Sequence, residues 1–510
     1  MAFWETVLGA VLAVIVGGLY WAGAFRRRQP GEPPLEKGLI PWLGYGLQFR
    51  KDSLDFLKRM REKHGDIFTV LIGGQYFTFL MDPLSFGAVV REARAKLDFL
   101  TYASELVMKV FTYQPTEASH KVLEAASTRH LKGNGLVVMT QAMMDNLQKV
   151  LLPGLDSAGE QQPWKEDGLF HFSYNVVFRA GYLALFGNEP EKPEKGREND
   201  QRCDLVVSED LFKEFRKYDQ FFPRLAFSML SYGEKKEVEA LKEHFWKTLS
   251  VKEVYHKDNI SRWVSEQSQG LGEAGEPEYM RDRYMFLLLW AAQGNTGPAS
   301  FWLLAYLMKH PKAMEEVKKE VDRVVRESGQ EVKPGVKPVN ITREMLTKTP
   351  VLDSALEETL RLAAAPLLVR VVLMDMALKM SDGREYSLRK GDKVAIFPYL
   401  AAHMDPDIHP EPQAFKYDRF LSLDGTKKEF YKNGEKVKYH TMPWGAGISM
   451  CPGRFFAVNE MKLFAFLMLL YFDMELVNKE ENVPAIDQNR YGFGVMQPEH
   501  DIRFRYRLRF

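Results

Sequence analysis

The sequence predicts a mainly α-helical protein with a minor β region, built as one large helical domain behind an N-terminal transmembrane helix. Three observations predict it. An uncharged apolar run from Val7 to Phe25 is followed at once by Arg26, Arg27 and Arg28. Most of the remaining chain reads as helical patterns separated by polar loops, with β-branched or alternating stretches in only a few places. The 510 residues, 45% hydrophobic and 13% aromatic, supply a large interior with no internal repeat or long flexible linker to divide it.

As a helix the apolar run is ~28 Å long at ~1.5 Å per residue, close to the ~30 Å hydrocarbon core of a bilayer. A cleaved signal peptide is disfavoured because the basic cluster follows the run and no small-residue cleavage pattern stands out. The positive-inside rule then puts the arginines and all that follows in the cytosol. Residues 1–28 are thus read as a membrane anchor with a basic stop, 29–44 as a proline-rich linker and 45–510 as the main domain. Membrane lipid is the first expected partner.

Along the domain, "SLDFLKRMREKHGD" predicts an amphipathic helix capped by Ser53 and ended by a Gly65-Asp66 turn. "IFTVLIGGQYFTFLMDP" predicts a hairpin turning at Gly73-Gly74. "EPEKPEKGREND" and "QSQGLGEAGEPE" read as polar loops. Sheet signals return near "REYSLRKGDKVAIF" and in "RFRYRLRF" (503–510), which alternates as a strand with one apolar and one solvated basic face does.

A formal net charge of +1 argues against nucleic acid as a partner. Two cysteines make no disulfide framework, which fits a reducing compartment. Cys203, in a polar segment, reads as an ordinary thiol. Cys451 is different, because it lies in "PWGAGISMCPGR" ahead of the apolar "RFFAVNEMKLFAFLMLLYF". Gly445, Gly447 and Gly453 permit positive φ and close backbone approach to a bulky partner. Nearby amides and the following helix N-terminus favour a thiolate. Axial ligation of haem iron suits that arrangement, and a turn with an incidental cysteine is the alternative.

In "VLDSALEETLRL", Glu358 and Arg361 share one helix face at i, i+3. A surface ion pair is one reading, but the apolar flanks make burial plausible, and Arg419 of "AFKYDRF" could share the carboxylate. "YMFLLLWAAQGNTGPASFWLLAYLMKHP" carries Gln293, Asn295 and Thr296 in its middle, which points to a buried core helix instead of a second span. Pro298 cannot donate to the Gly294 carbonyl, so the helix should open there. His403, His409 and His440 lack ligand spacing and read as surface or loop residues. The 23 methionines read as core filler and cavity lining.

In order, Glu358-x-x-Arg361, "FKYDRF" and "WGAGISMCPG" resemble the haem-thiolate monooxygenases, the cytochrome P-450 superfamily, over everything after the anchor. The resemblance implies that fold, haem b with Cys451 as its iron ligand, O2, and NADPH-cytochrome P-450 reductase as electron donor. It implies a structural role for Glu358, Arg361 and Arg419. Arg370 occupies a position resembling a propionate contact. The chain departs from the pattern: Trp444 stands in the Phe place, where it can cover the sulfur side of a haem, and Ser449 stands in the Arg place. No Trp-x-x-x-Arg occurs around "SHKVLEAASTRHLKG". In the oxygen-site helix, Gly294 and Asn295 replace the usual acid and alcohol, which leaves Asn295 and Thr296 to deliver protons.

These departures, with "QGN" and "YGFGVMQPEHD", resemble the branch of prostacyclin synthase and the sterol hydroxylases of bile-acid synthesis. The stretches "GGQYFTFLMDPLSFG" and "HMDPDIHPEP" look most like sterol 12-alpha-hydroxylation enzymes. The resemblance therefore implies 12-alpha hydroxylation of 7-alpha-hydroxycholest-4-en-3-one at the endoplasmic reticulum. Trp290, Asn295, Thr296, Leu367, Leu368, Phe493, Val495 and Met496 would line the sterol cavity. The alternatives are an isomerase acting on a prostaglandin endoperoxide without a reductase, and a membrane-anchored haem protein without turnover.

Overall fold

The computed structural model describes residues 2–21, 25–153, 162–190, 196–334 and 336–509. Helices predominate, and one six-stranded sheet lies toward the N-terminal side. Its order is Leu35–Glu36, Ile67–Ile72, Gln75–Leu80, Lys393–Ile396, Leu368–Val372, Leu97–Asp98. The predicted hairpin is there: Ile72 pairs with Gln75 across Gly73 and Gly74, at φ 55° and 80°, a turn that glycine makes without strain. The predicted helix runs Ser53–His64, but its cap is Asp52, whose side chain accepts from Asp55 N. A three-stranded sheet joins Phe472–Leu476, Arg503–Leu508 and Lys165–Gly168. The basic face of the 503–508 strand is solvated and pairs with Glu166, Glu475 and Asp473.

Both segments read as loops are partly helical. The Gly196–Ala226 helix begins inside the first, whose residues 191–195 lie outside the described set. The Arg262–Glu273 helix takes up most of the second. Gly270 there allows close helix packing, since a Cβ would lie 2.6 Å from a Val122 methyl. Gln267 is buried and accepts from the Tyr284 hydroxyl at 3.0 Å. Its polarity marks an interior contact and not a loop.

The N-terminal run forms the helix Ala2–Trp21, with Leu8, Val14 and Tyr20 exposed. Among the described residues no helix is long and apolar enough to cross a membrane, and residues 22–24 of the predicted span lie outside them. The arginines after it do not all stand free. Arg26 forks onto Asp392 at 2.6 and 2.7 Å, and Arg28 donates to the Glu32 carbonyl. These contacts tie the chain's exit from the helix to the domain.

Candidate functional site

Cys451 is half-buried at the end of a loop held by its own backbone. Cys451 N donates to Trp444 O at 2.8 Å and Met450 N to Gly447 O at 3.2 Å. Gly445 and Gly447 adopt φ 71° and 63°, as the turn requires. A Cβ on Gly447 would lie 2.5 Å from Val90 O, so only glycine fits that approach. Gly453, at φ −81°, instead caps the helix Arg454–Tyr471. Burial pushes the Cys451 thiol up, while the amides of Gly453 and Arg454 and the Arg454 charge oppose it in favour of thiolate. Ser449 is half-buried in the short 3₁₀ turn ahead of it.

The loop rests on a buried ionic cluster. Arg361 forks onto Glu358 at 2.7 and 2.9 Å, and Arg419 Nε lies 2.9 Å from both carboxylate oxygens. Arg361 also donates to the carbonyls of His403 and Pro412, each at 2.6 Å. His403 and His409 are fully buried, against the surface position expected for them. Local spacing carries no sign of it: His403 ends the buried turn Tyr399–His403, and even the nearby Asp405 is buried. His403 Nε2 accepts from Met442 N at 3.0 Å, nine residues before the cysteine.

That bond requires a neutral ring, and burial pushes the His403 pKa from 6.5 down to about 3. The unfolded chain binds a proton near pH 6.5 that the folded chain refuses until about 3. Stability is therefore full above that range and falls as pH drops through it, by about 1.4 kcal/mol per pH unit. Urea melts at pH 7 and pH 5.5 check this: His403→Asn lowers stability at pH 7 but shows a smaller loss on acidification than the parent.

Across from the loop, the predicted long helix is broken as Pro298 dictates, into Glu278–Gln293 and Thr296–Lys309. Around the break Trp290, Ala292 and Asn295 are half-buried and Ala291 is exposed, although the helix on either side is buried. That face borders open space. Asn295, expected to carry protons, is engaged elsewhere: its Oδ1 accepts from Val495 N at 2.8 Å and pins the turn that contains Gly494. Gly494, at φ 102°, is required there, because a Cβ would lie 2.4 Å from that oxygen. Thr296 is buried and donates a long bond, 3.4 Å, to the Ala292 carbonyl.

A family model for cytochrome P-450 matches residues 33–504. The chain belongs to the cytochrome P-450 family. The rabbit (Oryctolagus cuniculus) 7-alpha-hydroxycholest-4-en-3-one 12-alpha-hydroxylase is 52% identical over 510 residues, 100% of this chain and 99% of the relative. The Homo sapiens enzyme of the same name is 50% identical over 509 residues, with the same coverage of both chains. Homo sapiens prostacyclin synthase is 45% identical over 509 residues, 99% of each chain. As a P-450 monooxygenase the protein is an oxidoreductase whose cofactor is a haem with a thiolate ligand.

The residues present fit that group. Arg370 is 5% exposed, lies over the Phe99 ring and donates to Val369 O at 2.9 Å, yet no carboxylate pairs with it among the described residues. Burial lowers its pKa, and Asp98 nearby partly offsets this. A nearly buried guanidinium without an anion is what a haem propionate would complete.

The residues expected to line the cavity lie beside an aromatic cluster that the sequence did not indicate. Trp290 stacks on Phe222 at 4.0 Å and 9°, and Phe493 meets Phe222 edge-on at 5.2 Å. Phe111 closes the group at 5.6 Å from Trp290. Leu367 and Leu368 are half-buried beside the late turn, where Leu367 N donates to Gly492 O. Val495 is nearly buried. Met496, expected in the wall, is fully buried in the core, and its carbonyl accepts from Trp302 Nε1 at 2.7 Å.

Sequence reasoning missed Asp219, which ties its helix to Trp290 and to the late turn. It is fully buried and accepts from Gln497, Arg216, Arg490 and Trp290. Burial alone would raise its pKa, but Arg490 and Arg216 outweigh it and hold the carboxyl below its usual range. The adjoining "NRYGFG" was the available signal, since an arginine entering so apolar a turn needs an anion.

Proposed function

We propose that this chain hydroxylates 7-alpha-hydroxycholest-4-en-3-one at the 12-alpha position. The carrying observation is identity of 50% or more along the full length to enzymes of that name, against 45% for prostacyclin synthase. The half-buried Trp290, Phe493, Leu367 and Leu368, with an aromatic cluster behind Trp290, suit a rigid sterol skeleton. With apolar residues of this kind, selectivity would come from how they orient the ring system.

In this reading Cys451 is the iron ligand. Trp444 would pack beside the haem, and Gly445 and Gly447 would let the loop backbone approach it closely. Gly453 starts the helix whose amides favour the thiolate. Arg370 neutralises a propionate. Glu358, Arg361 and Arg419 hold the segment that carries the loop. When bound, the haem supplies the oxidising power that replaces an unactivated C–H hydrogen with hydroxyl. Asn295 positions the late turn, and Thr296 keeps the only hydroxyl at the helix break. Electrons come from NADPH through NADPH-cytochrome P-450 reductase. Residues 1–28 anchor the protein in the endoplasmic reticulum membrane, with 29–44 as linker and the catalytic domain 45–510 in the cytosol. The exposed apolar helix Ala2–Trp21 supports lipid contact.

The isomerase reading is favoured by one feature: Gly294 and the occupied Asn295 leave no acid–alcohol pair. Incubating the full chain with the sterol enone and with a prostaglandin endoperoxide, each with and without reductase and NADPH, separates them. The expected result is a 12-alpha-hydroxylated sterol, identified by mass spectrometry and NMR, formed only with electrons. Electron-independent rearrangement of the endoperoxide, with no sterol product, would overturn the proposal.

A further inference from the structure

The Gly196–Ala226 helix presents two groups to one indole. Asp219 and Phe222 stand at i, i+3 and so share a helix face. Phe222 lies flat on the Trp290 ring, and Asp219 Oδ1 accepts from Trp290 Nε1 at 3.3 Å. The stack sets the plane of the ring, and the hydrogen bond sets which of its edges faces the helix. Trp290 itself is half-buried at the helix break, where the face borders open space.

The same carboxylate reaches both ends of the late turn. Its Oδ1 also accepts from Arg490 at 3.0 Å, while Oδ2 accepts from Gln497 at 2.7 Å and Arg216 at 2.8 Å. Arg490 adds a bond of 3.0 Å to the Asp219 carbonyl. Between those two ends lies Phe493, edge-on to Phe222. Asp219 is 0% exposed, so it acts on a ligand only through the groups it holds. Stability is a poor explanation for this cluster, since apolar residues of similar shape often replace a buried ion pair at no loss. What four directional bonds to one carboxylate add is a single arrangement of their donors.

We propose that Asp219 is a positioning residue that sets which carbon of the bound substrate reacts, by holding the Trp290 indole and the late turn in one fixed arrangement. Without it, the indole can turn over about its Cβ–Cγ bond while still stacked, and the turn that carries Phe493 loses its tie to the helix. A substrate with no polar handle at the reacting carbon then settles in several orientations and reacts at several carbons. The inference rests on the placement of Trp290 and Phe493 at the substrate cavity in the function proposed above, and not on which of the two substrates is bound there.

Two measurements on the full-length holoenzyme test it. The double variant Asp219→Leu/Arg490→Met removes the buried pair together, so that no lone cation is left inside. Asp219→Asn/Arg490→Gln removes the charges but keeps an acceptor for the indole. In ultraviolet resonance Raman spectra, the Trp290 band is the one missing from Trp290→Phe. It should move to the position of an unbonded indole in the Leu/Met variant and stay in place in the Asn/Gln variant. An unmoved band in the Leu/Met variant overturns the proposal, whatever the sterol experiment gives. The ratio of the main product to its positional isomers, read by mass spectrometry and NMR, should fall about 10-fold in the Leu/Met variant and recover in the Asn/Gln variant. If the Leu/Met variant loses its haem, the ratio is read in Trp290→Phe, which leaves Asp219 its other three donors and should also show a fall. A parent-like ratio in the variant read would overturn the proposal. Should the parent rearrange the endoperoxide and leave the sterol untouched, the sterol reading fails and the ratio is taken on the endoperoxide products.

Discussion

Replacing Cys451 with Ser is expected to abolish the thiolate-type carbon monoxide spectrum and reduce turnover to background, while the polypeptide still folds. The loop is shaped by backbone bonds such as Cys451 N to Trp444 O and by the positive φ of Gly445 and Gly447, not by the sulfur. Sulfur-to-oxygen exchange at a half-buried site therefore changes the stability of the haem-free chain by less than about 1 kcal/mol. The donor, by contrast, is lost. A serine hydroxyl does not ionise under the influence of two amides and the Arg454 charge, which already compete with burial to favour the thiolate. Reduced, carbon-monoxide-treated protein and a urea melt of the haem-free chain check the two halves separately. An unchanged carbon monoxide spectrum would remove Cys451 as the ligand and, with it, the assignment of Trp444, Gly445 and Gly447.

What could be read from the sequence was whatever local spacing encodes. The i, i+3 step from Glu358 to Arg361 put both groups on one face, and apolar flanks implied burial. The structure adds further partners, among them the carbonyls of His403 and Pro412 and the Lys416 amide. Pro298 broke its helix where a missing donor must, and Gly73-Gly74 turned its hairpin. Hidden were contacts that join distant stretches of chain. Spacing puts Asn295 on a helix face but says nothing of the Val495 amide that meets it, 200 residues away in sequence. Nothing in local spacing singles out Asp219, because its four donors come from three separate segments. His403 and His409 sit among polar residues and are nevertheless buried. Met496 belongs to the cavity turn by sequence, but the direction of its side chain is set by the core around Trp302.

The largest stability effect is expected at Glu358. Its carboxylate takes two bonds from Arg361, two contacts from Arg419 Nε and one from Lys416 N at 3.0 Å. Both partners are buried, Arg361 at 0% and Arg419 at 6% exposure. Truncation to Ala leaves two guanidinium charges in a site that water does not reach. Breaking a buried pair from one side costs about 3–5 kcal/mol, against a total stability on the order of 5–15 kcal/mol for a folded protein. The damage should spread to the cysteine loop, because Arg361 holds the His403 carbonyl and the His403 ring holds Met442 N. Urea titration followed by fluorescence and by the haem absorption band is the measurement. Glu358→Ala should unfold at lower urea than the parent and release haem in the same transition. Glu358→Gln, which keeps the shape and one acceptor oxygen, should fall between them. A Glu358→Ala midpoint within about 1 kcal/mol of the parent would show that the cluster is dispensable, as surface ion pairs are, and that the loop takes its position from the glycine turns alone.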